Sequence, residues 1–304
     1  MTKISDNINS YQNLAQYDAD MGKEYPNVSY LIDEDEVVYI KEPEYSKQYL
    51  TIISLSNNNT IRWAASDSNT TKKTIYISYN DGWINKTSTT EDGVVLATLN
   101  KGDKLFIKGV NTKYATTNSR YNYFKTTGSF DICGNIMSLI YGDNFVGKTT
   151  FNGDKYILSS IFRNCSFLHN AENLILPATT LVESCYSGMF RDCTNLTKAP
   201  ILPATTMTEE CYDRMFYNCT NLTTAPELPA TTLVTRCYNY LFYKCTSINY
   251  IKAMFTTTPS ASYTNFWTNG VAASGTFVKN SAATWNVRGS HGIPTGWTVR
   301  TANS

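Results

Sequence analysis

The chain has 304 residues, 26 of them basic and 25 acidic, for a formal charge of +1. That length accommodates two or three domains, and the charge balance gives no reason to expect nucleic acid or an anionic membrane as a partner. No run of about 18 apolar residues occurs, so no transmembrane helix is predicted.

Residues 1–48 read as an anchoring segment made of a helix and a hairpin. Met1-Thr2-Lys3-Ile4-Ser5-Asp6-Asn7 lacks the apolar stretch and cleavage site of a secretory signal. Tyr11 to Met21 is predicted as a short helix with Leu14 and Tyr17 on one face. Val28 to Ile32 and Val37 to Ile40 flank the acidic turn Asp33 to Glu36, a hairpin pattern. So small an assembly does not fold well alone. It is expected to pack on something else, with Tyr11, Leu14, Tyr17, Tyr25, Pro26 and Tyr30 as docking candidates.

Residues 49–127 alternate apolar and polar side chains in short runs. These are Tyr49 to Leu55, Thr60 to Ala64, Thr74 to Tyr79, Gly93 to Leu99 and Lys104 to Val110. Turn-forming clusters such as Asn57-Asn58-Asn59 and Asn80-Asp81-Gly82 separate them, which predicts a β-sandwich.

Residues 128–257 carry an internal repeat. Leu176-Pro177-Ala178-Thr179-Thr180 returns at Leu202 and again at Leu228, a step of 26 residues. Cys185-Tyr186, Phe190 and Cys193 return at the same step, and a degenerate copy, Phe162 to Leu168, precedes them at an offset of 28. A period of about 20–29 residues marks leucine-rich-repeat solenoids, whose units bury their apolar residues only by stacking. Leu181, Cys185 and Met189 lie four apart, which predicts a short helix over Leu181 to Phe190. Residues 258–304 are rich in Thr, Ser, Gly and Trp and are expected to cap the open end. The fold class is therefore mainly β, or α+β.

Six of the eight cysteines are repeat positions, so they read as buried small hydrophobes rather than disulfide partners. Gly142 to Thr149 matches a phosphate-binding loop, G-x-x-x-x-G-K-T, but Asn152-Gly153 interrupts the helix that must follow. Only His169 and His291 are present, and Glu209 with Glu210 reads as a solvated pair. No enzyme activity, catalytic residue, cofactor or metal site is expected. The five tryptophans (Trp63, Trp83, Trp267, Trp285 and Trp297) are expected in cores.

The unit Cys-Tyr-x-x-Met-Phe-x-x-Cys-Thr-Asn-Leu-Thr-x-Ala-Pro-x-Leu-Pro-Ala-Thr-Thr resembles the BspA-like, Treponema-type leucine-rich repeats of gut Bacteroidales and their phages. The lead-in Gly134 to Phe145, and the ending Gly275 to Lys279 with Gly292 to Trp297, resemble the segments that flank such repeats. Tyr25-Pro26-Asn27-Val28-Ser29-Tyr30 resembles the anchoring segments of phage fibre proteins. The resemblance implies a virion protein of a Bacteroides-infecting, crAss-like tailed phage: a head fibre, capsid decoration or tail fibre. It implies docking on capsid or tail proteins through residues 1–48, contact with a host glycan or surface protein, and a homo-oligomer. A bacterial cell-surface adhesin is the alternative, and it requires an export route.

Overall fold

The structure, a computed structural model, describes residues 2–3, 29–32, 38–41, 44–79, 82–90 and 92–302. The chain divides into two compact units, Met1–Gln48 and Tyr49–Ser304. The first contains β1 (Thr2–Lys3), β2 (Ser29–Ile32) and β3 (Val38–Lys41), antiparallel in the order β1-β3-β2. Tyr30 lies in β2 opposite Ile40. Tyr11, Leu14, Tyr17, Tyr25 and Pro26, and with them the expected helix, lie outside the described residues.

The second unit is mainly β and begins with two sheets. Strands β10 (Ala115–Thr117), β11 (Arg120–Thr126), β5 (Asn59–Ala65) and β8 (Val94–Leu99) form one, in that order. The other runs β13 (Leu168–Asn170), β12 (Phe130–Asn135), β4 (Leu50–Ser54), β9 (Lys104–Lys108), β6 (Thr74–Ser78), β7 (Ile84–Thr87), with β14 (Leu174–Ile175) also on β12. Alternation works as the sequence suggests: Ile75 and Ile77 of β6, and Leu105 and Ile107 of β9, point into a core shared with Ile61, Trp63 and Phe124 of the other sheet. Burying a side chain of that size contributes about 1.5–3 kcal/mol.

The helix expected over Leu181 to Phe190 does not form. In its place is a run of four-residue turns, each with a left-handed residue: Ser184 (φ 54°), Gly188 (φ 60°) and Asp192 (φ 62°). The pattern returns at Glu210, Arg214 and Asn218, and again at Arg236, Tyr240 and Lys244. Odd-numbered amides close the turns, as from Met189 to the Tyr186 carbonyl at 3.1 Å. Even-numbered amides reach the next coil: Tyr186 to Cys211, Gly188 to Asp213, Phe190 to Met215. Apolar residues spaced four apart thus face inward because the turn repeats every four residues, a spacing that a helical face nearly shares.

The stacking produces ladders. Phe162, Phe190, Phe216 and Phe242 stack with centroids 5.7, 5.5 and 5.9 Å apart. The Cys193, Cys219 and Cys245 thiols donate to the Phe162, Phe190 and Phe216 carbonyls at 3.1, 3.1 and 2.9 Å. The sheets supply the first rung: Phe124 of β11 stacks on Phe162 at 5.4 Å, and the Cys165 thiol donates to the Phe124 carbonyl at 3.1 Å. Residues 258–302 continue the stack as well as cover it. β15 (Tyr250–Ala253), β16 (Thr276–Lys279) and β17 (Thr298–Thr301) pair in parallel, and Trp267 packs against Phe242.

Candidate functional site

Positions that repeat without identity mark one outer face of the coils. Arg163, Arg191, Tyr217 and Tyr243 occupy one position of successive coils, and Gly188, Arg214, Tyr240 and Phe266 occupy another. The left-handed turns fix both columns: Gly188, Arg214, Tyr240 and Phe266 are themselves left-handed residues, and Arg163, Arg191, Tyr217 and Tyr243 each immediately precede one, Asn164, Asp192, Asn218 and Lys244. Each arginine of coils two and three lies over the tyrosine one coil further on. Arg191 is 4.7 Å from the Tyr217 centroid and Arg214 is 4.9 Å from that of Tyr240. Arg163 lies over Tyr121 of β11 at 5.0 Å. Beyond the arginines the rings stack on one another: Tyr217 on Tyr243 at 4.9 Å and Tyr240 on Phe266 at 5.5 Å.

A groove of about 760 Å³ opens where this face meets the β10–β11 connection, lined by Arg163, Arg191, Arg214, Tyr121, Tyr156 and the loop Thr117–Ser119. The loop is fixed to the coils: the Arg163 guanidinium donates to the Asn118 carbonyl at 3.2 Å, and the Ser187 hydroxyl donates to the Asn118 side-chain oxygen at 3.0 Å. Arg191 donates through Nε to Asp192 at 3.2 Å, and Arg214 through Nη1 to Asp213. Burial pushes the Asp213 carboxyl up to about 6, against the pull of Arg214 and of the Asn239 amide, which donates to it at 2.6 Å.

Most of these residues are not marked by the repeat, because the repeat consists of identities and this face differs from coil to coil. Glu210 also departs from expectation. It accepts from Ser184 at 3.2 Å and from Arg236 at 2.8 Å, bridging coils, while Glu209 is exposed. Trp63, Trp267, Trp285 and Trp297 are buried as expected, whereas Trp83 is half-buried beneath the Lys108 ammonium, 4.2 Å from its centroid.

Gly142 to Thr149 is preceded by one helical turn, α1 (Ser138–Tyr141), and followed by turns rather than a helix. Lys148 packs over the Tyr141 ring at 5.3 Å. The six repeat cysteines are buried free thiols, and burial pushes Cys185 and Cys245 up to about 12 and Cys237 to about 11. No cluster of three or more metal-ligating side chains occurs among the described residues. No family model, curated protein or solved structure matches the chain.

Proposed function

We propose that the chain is a non-enzymatic structural protein of a tailed-phage virion, a head fibre, capsid decoration or tail fibre. Residues 1–48 dock on other capsid or tail proteins. A leucine-rich-repeat solenoid with its C-terminal cap presents a surface to a host glycan or surface protein. The observation that carries this reading is the arginine–tyrosine face beside an open groove, built from equivalent positions of successive coils. Such a face suits recognition of an extended ligand. The solenoid reading is supported by amide ladders and phenylalanine stacks that follow the 26-residue repeat. The virion setting rests on the sequence resemblance, and a fibre of this kind is expected to be a symmetric homo-oligomer.

Deletion of residues 1–45 tests the docking half of the proposal. Particles assembled with the truncated chain are expected to lack it when their proteins are separated and stained. Truncated protein at full occupancy on the particle sinks the proposal. Detection of the intact chain on bacterial cells that carry no phage favours the adhesin instead.

A further inference from the structure

The three groove arginines are held in place but little used. Each guanidinium offers five N–H donors, and among the described residues each spends one on a protein acceptor: the Asn118 carbonyl, Asp192 or Asp213. Their faces rest on Tyr121, Tyr217 and Tyr240, so the edge of each fork is what remains for a ligand. The charges do not cancel locally. Asp192 and Asp213 answer Arg191 and Arg214, while Arg163 has no carboxylate partner among the described residues. Burial and the neighbouring charges of Arg191 and Arg214 pull the Arg163 guanidinium below its ordinary range. A planar fork with free N–H pairs matches carboxylate or sulfate oxygens two at a time. The opposite wall, Thr117, Asn118 and Ser119, is neutral and hydroxyl- and amide-bearing, which suits sugar hydroxyls.

We infer that this groove binds an acidic polysaccharide, with Arg163, Arg191 and Arg214 receiving its carboxylate or sulfate groups and the Thr117–Ser119 loop meeting its hydroxyls. The inference names the ligand class for the recognition face of the proposed function and rests on that reading. A single-stranded nucleic acid is the competing polyanion. Proteins that bind it stack successive bases on open aromatic faces, whereas of the two tyrosines lining the groove Tyr121 lies beneath Arg163, which leaves Tyr156 as a single ring.

The test is calorimetric titration of the purified whole chain at physiological salt. The probes are heparin, polygalacturonate, neutral dextran and single-stranded DNA. Heparin or polygalacturonate is expected to bind and dextran not; binding of one alone tells sulfate from carboxylate. Arg163→Gln, which loses the bond to the Asn118 carbonyl and the contact with the Tyr121 ring, and Arg191→Gln are each expected to weaken binding about tenfold while circular dichroism shows the fold retained. Arg191→Lys keeps the charge and loses the fork, so it should recover only part of the affinity. The inference is overturned if the folded chain binds neither acidic polysaccharide, if DNA binds more tightly than both, or if the lysine variant matches the parent. Because no particle is involved, this result stands apart from whether residues 1–48 dock on a virion.

Discussion

The sheets and the coils of the second unit bury their apolar side chains by the same alternation, executed in different places. In β6 and β9 the side chains alternate, inward and outward, while the backbone pairs with strands on both sides. In the coils the backbone amides alternate: one closes a turn within its own coil, the next reaches the neighbour. A sheet can therefore take almost any apolar residue at an inward position. A coil favours the same residue as its neighbours, because each Phe ring stacks on the equivalent ring of the next coil and each Cys thiol meets the Phe carbonyl of the coil before. That preference is what makes the coils repeat in sequence while the sheets do not.

The largest test of this difference removes a ladder rung. Phe216 is fully buried between Phe190 and Phe242. Phe216→Ala is expected to cost about 3–5 kcal/mol in denaturant unfolding. Since each coil contacts only its neighbours, hydrogen exchange should quicken first in the coils on either side. Equal loss of protection in β5, β6 and β9 would mean that sheets and coils unfold as one, and the contrast would fail.

The sequence revealed these two regions unequally. The five strands expected between residues 49 and 110 form, because apolar alternation and Asn-rich turns are local signals. β7 and β12 escaped: Ile84-Asn85-Lys86-Thr87 has one apolar residue, and Asp131 and Gly134 interrupt Phe130–Asn135. In the coils the repeat is plain in the sequence but its local structure is not, since Leu181, Cys185 and Met189 fit a helical face as well as a four-residue turn. Arg191 and Arg214 stayed hidden because tyrosines replace them one coil later.

A second test concerns buried polar groups. In the sheets these are neutral, as where Asn122 accepts from Ser88 and donates to the Tyr114 carbonyl. The coils bury a carboxyl, Asp213, at 1% exposure. Its ordinary value near 3.8 rises to about 6 on folding, so the folded chain holds this proton more tightly than the unfolded one. The resulting stability is fully present below pH 3.8 and is lost as pH rises through about 6. The difference in unfolding free energy between the parent and Asp213→Asn should therefore shift by about 3 kcal/mol across that window, against the parent at higher pH. A flat difference would mean that Arg214 and Asn239 compensate the buried charge completely.

The smallest expected effect is the most discriminating, because its sign separates the two readings of the repeat. Gly188 has φ +60°, and a methyl added there would meet the Ser160 hydroxyl at 3.1 Å. In a left-handed turn, an L-residue costs about 1–2 kcal/mol, partly offset by the lower chain entropy of alanine in the unfolded state. Gly188→Ala is therefore expected to destabilise by about 1 kcal/mol, with Gly188→Asn costing less because asparagine enters this region more readily. Were the segment the helix that its four-residue spacing suggests, the same change to alanine would stabilise by about 1 kcal/mol. Arg214 and Tyr240 hold the equivalent positions at φ 53° and 51°. Those two coils already tolerate the strain that Gly188 avoids, and they carry side chains of the arginine–tyrosine face at the positions where they do so.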